Sequence, residues 1–356
     1  MIYVSKPHIT DAEKKAVLAV LDSGMLAQGK KTSELEQMFA TLCQTKHAIA
    51  TSSGTTALHL ALLAHGIGKG DEVITTPFTF IASTSSILFT GACPVFVDIE
   101  DETYNIDVKK IETAITSRTK AILPIHLYGH PCDMDAISSI AEKHNLAIIE
   151  DAAQAIGAEY KNKPVGGFGT AAFSLYATKN VMSGEGGMIT TNDDDIADKI
   201  RMLRSHGSKR RYYHEMLGYN FRMSDIHAAI GVEQLKRWDE LTSKRRSNAS
   251  YLSDHLQKVV LPTEKKWARH VWHQYTVRVP QGIERDGVVE HLREHGVGTG
   301  IFYPVPIHKQ EYVQQLVGNL SLPVSERVAN EVISLPVHPL VSREDLEIIV
   351  KAVNTL

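Results

Sequence analysis

Apolar residues are spaced along this chain in two ways, and the spacing switches from segment to segment. Short unbroken apolar runs predict strands over 47–50, 71–76, 95–98, 121–126, 147–150, 171–176 and 187–191. Between them, apolar residues at helical spacing predict helices over 55–65, 78–90, 108–115, 133–143 and 194–204. The helix at 55–65 is apolar almost all round, which predicts burial, and Gly66 ends it. Two helices precede this alternation, over 10–21 and 32–42. The first has the signature of a capping box, with Thr10 as N-cap and Glu13 three residues on. A further helix is expected over 223–238.

Strands that alternate with helices, and that are apolar on both faces, predict an α/β fold. Its centre is a mainly parallel sheet covered by helices on both faces. Near residue 240 the texture changes. Charge clusters appear at Lys244-Arg245-Arg246 and Lys265-Lys266, and strands at 271–279 and 297–302 mix with helices at 286–294 and 343–352. The expectation is a large domain over 1–240, with an N-terminal arm, and a smaller α+β domain over 241–356.

Composition narrows the class. The 356 residues are 43% hydrophobic and 22% charged, ordinary values for a globular chain. A net charge of -3 gives no reason to expect a nucleic-acid surface. Cys43, Cys93 and Cys132 are far apart and form no C-x-x-C pair, so reduced thiols are expected. Residues 1–15 lack the apolar core of a signal peptide, and no apolar run has the length to span a bilayer. A cytoplasmic protein is expected.

The candidate chemistry centres on a lysine. In Phe173-Ser174-Leu175-Tyr176-Ala177-Thr178-Lys179-Asn180 an apolar run ends in hydroxyls and an amine, and Ser183-Gly184-Glu185-Gly186-Gly187 follows. Burial lowers a lysine's pKa, which suits a Schiff-base amine; a lone lysine in a turn is otherwise a surface group. Ser52-Ser53-Gly54-Thr55-Thr56-Ala57 joins a strand to a buried helix. That junction reads either as a phosphate cradle of free N–H groups or as a plain Ser/Thr N-cap. In Ala147-Ile148-Ile149-Glu150-Asp151-Ala152-Ala153-Gln154 an aspartate stands where an apolar strand emerges. It is placed to pair with a protonated ring nitrogen, or to cap the next helix, and Gln154 reaches the same side. Pro77-Phe78-Thr79-Phe80 offers aromatics at another strand-to-helix junction, for stacking or for the core. A phosphate anchor, a stacking ring, a carboxylate and an amine, in order on successive βα units, together meet the needs of pyridoxal 5′-phosphate.

The same stretches resemble the DegT/DnrJ/EryC1/StrS family of sugar aminotransferases, of fold type I among the pyridoxal phosphate enzymes. The resemblance covers nearly the whole chain. It rests on Ser53-Gly54-Thr55-Thr56-Ala57-Leu58, Thr76-Pro77-Phe78-Thr79-Phe80, His126-Leu127-Tyr128-Gly129, Glu150-Asp151-Ala152-Ala153-Gln154, Phe173-Ser174 with Lys179, Gly218-Tyr219-Asn220-Phe221-Arg222 and Tyr303-Pro304-Val305-Pro306-Ile307-His308. It implies that Lys179 carries the cofactor's Schiff base, that Asp151 pairs with the pyridine nitrogen and that Gln154 lies near the ring hydroxyl. Phe80 would stack on the ring. Gly54, Thr55 and Ser174 would hold the phosphate, joined by Asn220 from the neighbouring subunit of a homodimer. Arg222 would take the donor's carboxylate, and His308 would line the sugar-nucleotide pocket. Relatives with histidine in place of the lysine dehydrate their sugar instead; this chain keeps Lys179. The implied reaction moves an amino group from L-glutamate to a nucleotide-linked keto-deoxysugar, for polysaccharide, glycoconjugate or antibiotic sugars.

Other readings compete. His291-Leu292-Arg293-Glu294-His295 has the H-x-x-E-H spacing of a zinc hydrolase, but Val288, Val289 and Leu292 read as the buried stripe of the same helix. Gly66-Ile67-Gly68-Lys69-Gly70 follows a helix, where a nicotinamide fingerprint needs a strand. A non-catalytic regulator on the same fold is the remaining alternative, and Lys179 and Asp151 argue against it.

Overall fold

Seven of the apolar runs pair into one sheet in the computed structural model, which describes residues 1–356. The strands are β1 (His47–Thr51), β2 (Glu72–Thr75), β3 (Cys93–Phe96), β4 (Thr119–Ile122), β5 (Ala147–Asp151), β6 (Thr170–Ser174) and β7 (Gly187–Thr191). Their order across the sheet is β1-β7-β6-β5-β4-β2-β3. All run parallel except β7, which is antiparallel to both β1 and β6. Alternate residues split between the two faces, as the strand period of two requires. Ile49, Ala172 and Ile189 join one core with Leu58 and Ile200, whereas Ala48, Ala171, Phe173 and Met188 join another with Leu35 and Phe39. Both faces are therefore apolar, which is why these strands are continuous apolar runs.

The helix Gly54–Ala64 follows β1 directly and buries seven of its 11 residues, most of them in the core on one face of the sheet. The N-terminal helix Asp11–Ser23 starts with the expected capping box, Thr10 and Glu13 exchanging side-chain and backbone bonds. A separate core gathers Tyr275, Val277, Ile333, Leu335 and Ile349. At its centre Tyr275–Arg278 pairs antiparallel with Val332–Leu335, and the helices Trp238–His255, Arg285–Glu294 and Arg343–Asn354 surround this pair. No helix is long and apolar enough to cross a membrane.

Four local expectations change. The helix expected over 78–90 spans Ala82–Phe89. Pro77 to Phe80 stay out of it, because the fully buried Phe78 plugs the core edge-on to Tyr128 and Tyr303. The strand expected over 271–279 is only Tyr275–Arg278, since Trp272 takes a left-handed φ of 46° that no strand accommodates. The segment 297–302 makes only isolated bridges, Ile2 to Val297 and Gly300 to Ser334. Its glycines weaken a continuous ladder. The helix Trp238–His255, hidden in the sequence by its charges, carries the Lys244-Arg245-Arg246 cluster. It buries Arg245 with its guanidinium on the carbonyls of Trp272 and His273.

Candidate active site

At the carboxyl ends of β1, β2, β5 and β6 the chain leaves a cavity of about 560 Å³, where open α/β sheets place their ligands. Among its lining residues are Gly54, Thr55, Phe80, Asp151, Gln154, Ser174 and Lys179. Seven residues named from the sequence thus meet on one wall system, drawn from positions far apart in the chain. Each arrives by the same device, a strand that delivers its last residue, or the loop just after it, to the rim.

The helix Gly54–Ala64 points its N-terminus at the cavity. Ser53 is its N-cap, accepting from the Thr56 N–H at 3.2 Å, while Thr56 Oγ1 accepts from the Ser53 N–H at 3.1 Å. The Ser/Thr N-cap is present, and because it uses its own hydroxyls it leaves room for an anion at the same helix start. The Gly54 and Thr55 N–H groups, which the helix cannot satisfy internally, remain with the positive end of the dipole. Gly54 is required here for space. A Cβ at that position would stand 2.8 Å from the Ser174 Cβ, so only glycine lets the helix start meet the end of β6. This cradle fits an anion such as a phosphate.

Asp151 ends β5, is 5% exposed, and has a partner on each oxygen. Oδ2 accepts from the Ser83 hydroxyl at 2.6 Å, and Oδ1 from the Ala153 N–H at 3.1 Å. Burial raises its pKa, opposed by those two hydrogen bonds and by the charge of Lys179. Lys179, in the loop after β6, is moved the other way. Burial lowers its amine to about 8, against the pull of Asp151. An amine that loses its proton near neutrality, next to a buried carboxylate and an anion cradle, suits an aldehyde carried on a cationic ring with a phosphate arm.

Gln154 orients the far wall. Its Oε1 accepts from the Tyr128 N–H at 2.7 Å, and its Nε2 donates to the Tyr303 hydroxyl at 3.1 Å. Phe80 keeps 55% of its surface exposed, its ring 6.1 Å from that of Tyr303. An aromatic left open at a cavity rim is available to a flat ligand, whereas its neighbour Phe78 belongs to the core.

Three predicted residues are not brought to this wall. Asn220 is exposed, and its backbone bridges to Ser205. Arg222 is partly buried and does not line the cavity. His308 is fully buried and spends Nε2 on Glu326 at 3.0 Å, an arrangement that ties its 3₁₀ turn to the helix Pro323–Glu331. Conversely, Ser83, His273 and Tyr303 line the cavity without having been singled out as site residues. The Ser83 contact joins positions 68 apart, beyond any local pattern; Tyr303 lay in a quoted motif, which was the one available signal. The H-x-x-E-H helix gathers no ligand set, for His291 Nε2 bonds the Ala352 carbonyl and His295 Nδ1 the His291 carbonyl.

Known proteins resemble the whole chain. A family model described as the DegT/DnrJ/EryC1/StrS aminotransferase family matches residues 7–354. The GDP-perosamine synthase of Caulobacter vibrioides is 42% identical over 364 residues, 99% of this chain and 97% of that protein. A pleiotropic regulatory protein of Geobacillus stearothermophilus is 44% identical over 352 residues, 96% of this chain and 94% of its own. Among solved structures, S. venezuelae DesV in complex with a ketimine intermediate superposes with a TM-score of 0.93. It is 40% identical and covers 96% of this chain and 93% of its own.

Proposed function

The chain belongs to the DegT/DnrJ/EryC1/StrS aminotransferase family, and we propose that it transfers an amino group from L-glutamate to a keto-deoxysugar carried on a nucleotide. It is an enzyme of the sugar aminotransferase kind, and its cofactor is pyridoxal 5′-phosphate. The nucleotide-linked substrate and the glutamate donor are the proposal. One observation carries the catalytic reading: Lys179, with its amine near 8, and the buried Asp151 border the same cavity as the Gly54 cradle.

When bound, pyridoxal phosphate supplies an aldehyde for amines and a ring that accepts electrons. In our reading the Gly54 and Thr55 N–H groups and the Ser174 hydroxyl bind its phosphate. Asp151 holds a proton at the ring nitrogen, and Gln154 lies at the ring hydroxyl. Phe80 covers one ring face and keeps water from it. Lys179 would take a proton from the donor's α-carbon as a base and give one back as an acid. An amine near 8 suits both duties at neutral pH. The same steps in reverse would aminate the keto sugar.

We also read the protein as a homodimer in which Asn220 enters the partner's cavity. Asn220 is exposed and does not line its own cavity, which supports that reading. Arg222 is assigned with it to the donor's carboxylate. The core around Tyr275 is taken as the smaller domain, 241–356. The deciding test is a mass-spectrometric assay with glutamate and a panel of nucleotide-linked keto-deoxysugars. Amination of one of them at many turnovers is expected. A protein that binds cofactor yet aminates none would overturn the substrate assignment.

A further inference from the structure

The loop that presents Phe80 also carries a short hydroxyl chain. Thr79 Oγ1 lies 3.0 Å from Ser83 Oγ, and Ser83 Oγ lies 2.6 Å from Asp151 Oδ2 and 3.2 Å from the Phe80 carbonyl. All three side chains are buried, Ser83 at 1%, Thr79 at 4% and Asp151 at 5% exposure. Ser83 has one proton for two acceptors. The shorter contact, to an ionised oxygen, takes it, because O–H···O⁻ bonds are the stronger and shorter kind. The lone pair left on Ser83 Oγ then accepts from Thr79. With Asp151 ionised, the chain runs Thr79 to Ser83 to Asp151.

We propose that Ser83 is a positioning residue for the reaction, acting through Asp151 by holding the carboxylate ionised and turned so that its unused lone pairs face the cavity. The inference rests on the reading of Asp151 as the partner of the ring nitrogen. Oδ1 is held by the Ala153 N–H and Oδ2 by Ser83, so the carboxylate plane is pinned at both ends. Neither bond saturates its oxygen, since each oxygen has two lone pairs. Burial favours the neutral acid, and of the groups that oppose it the Ser83 hydroxyl acts most strongly, ahead of the Ala153 N–H and the charge of Lys179. A neutral, untethered acid is a poor partner for a pyridinium. The chain also links two walls: Thr79 and Ser83 flank Phe80, so the ring cover and the ring counter-ion sit on one rigid support.

The experiment measures binding by the apo-protein of pyridoxal phosphate and of its analogue with carbon in place of the ring nitrogen. Ser83→Ala should weaken pyridoxal phosphate about tenfold, the size of one hydrogen bond to a charged group, and leave the analogue within about twofold. Ser83→Cys, similar in size but a weak donor, should give the same discrimination and serves if the alanine variant does not fold. Asp151→Asn is the reference. If it discriminates between the two ligands while neither Ser83 variant does, the role of Ser83 is refuted and that of Asp151 stands. If Asp151→Asn itself does not discriminate, the underlying reading fails.

Discussion

The Lys179 amine and the Asp151 carboxylate border one cavity, and each charge moves the other's proton affinity. Burial dominates both, lowering the lysine to about 8 and raising the aspartate, while their mutual attraction opposes each shift. The sign has a kinetic consequence. Only the free amine attacks an aldehyde. The rate at which apo-protein takes up pyridoxal phosphate should rise about tenfold per pH unit at low pH and bend flat near 8, where an ordinary lysine would keep rising to about 10.4. Asp151→Asn removes the one group that raises the amine, so the bend should move to lower pH. Stopped-flow absorbance reads both. A rise that continues unbent beyond pH 9 would contradict the assignment.

Replacing the amine itself separates binding from chemistry. Lys179→Ala leaves the anion cradle and Asp151 in place, so the variant should still bind the cofactor through those groups. It should lack the yellow colour and visible absorption expected of wild-type protein loaded with the cofactor through Lys179. Multiple turnover should fall below detection, because no other amine borders the cavity. Proton transfer by a placed side chain contributes about 10²–10⁴-fold on its own, before the lost covalent step is counted. Wild-type turnover by this variant would place the chemistry elsewhere.

The cradle makes a steric prediction. A Cβ on Gly54 would sit 2.8 Å from the Ser174 Cβ and 3.2 Å from its Cα, so backbone must move to admit it. Gly54→Ala should destabilise the fold by roughly 1–3 kcal/mol, the range for overpacking a close contact. It should also weaken phosphate-bearing ligands more than pyridoxal, which lacks the phosphate. Thermal unfolding and binding titrations with the two ligands check the pair of effects. Equal losses for both ligands would remove the phosphate from this helix start.

Signals that were local in the chain were readable from it. The Thr10–Glu13 box, the strand Gly187–Thr191 and the helix Asp194–Arg204 each depend on side chains a few residues apart. Asp151 and Lys179 were legible because an apolar run that stops at a polar residue must deliver that residue to the sheet's rim. The helix Trp238–His255 was not, because its charged residues break the apolar periodicity and it is held by long-range contacts such as Arg245 on Trp272. Trp272's left-handed backbone leaves no mark in its residue type. Ser83 escaped notice for the same reason of distance: its partner is a strand end brought near only by the fold.

The dimer reading makes the last prediction, and it is one that a monomeric site cannot satisfy. Asn220 is exposed and does not line the cavity of its own chain, while Lys179 lines it. If Asn220 serves the partner's site, a site is intact only when Lys179 from one chain meets Asn220 from the other. Asn220→Ala and Lys179→Ala homodimers should then both be impaired, the first chiefly in cofactor and substrate affinity. Unfolding and refolding an equal mixture places both variants in about half of the dimers, each with one intact site of two, so about a quarter of the wild-type activity should return. If instead Asn220 acts on its own chain's cavity, every mixed dimer has one site without the amine and one without the amide. No activity then returns beyond the average of the two parents. The activity of the refolded mixture, set against the two variants mixed without unfolding, decides between the arrangements.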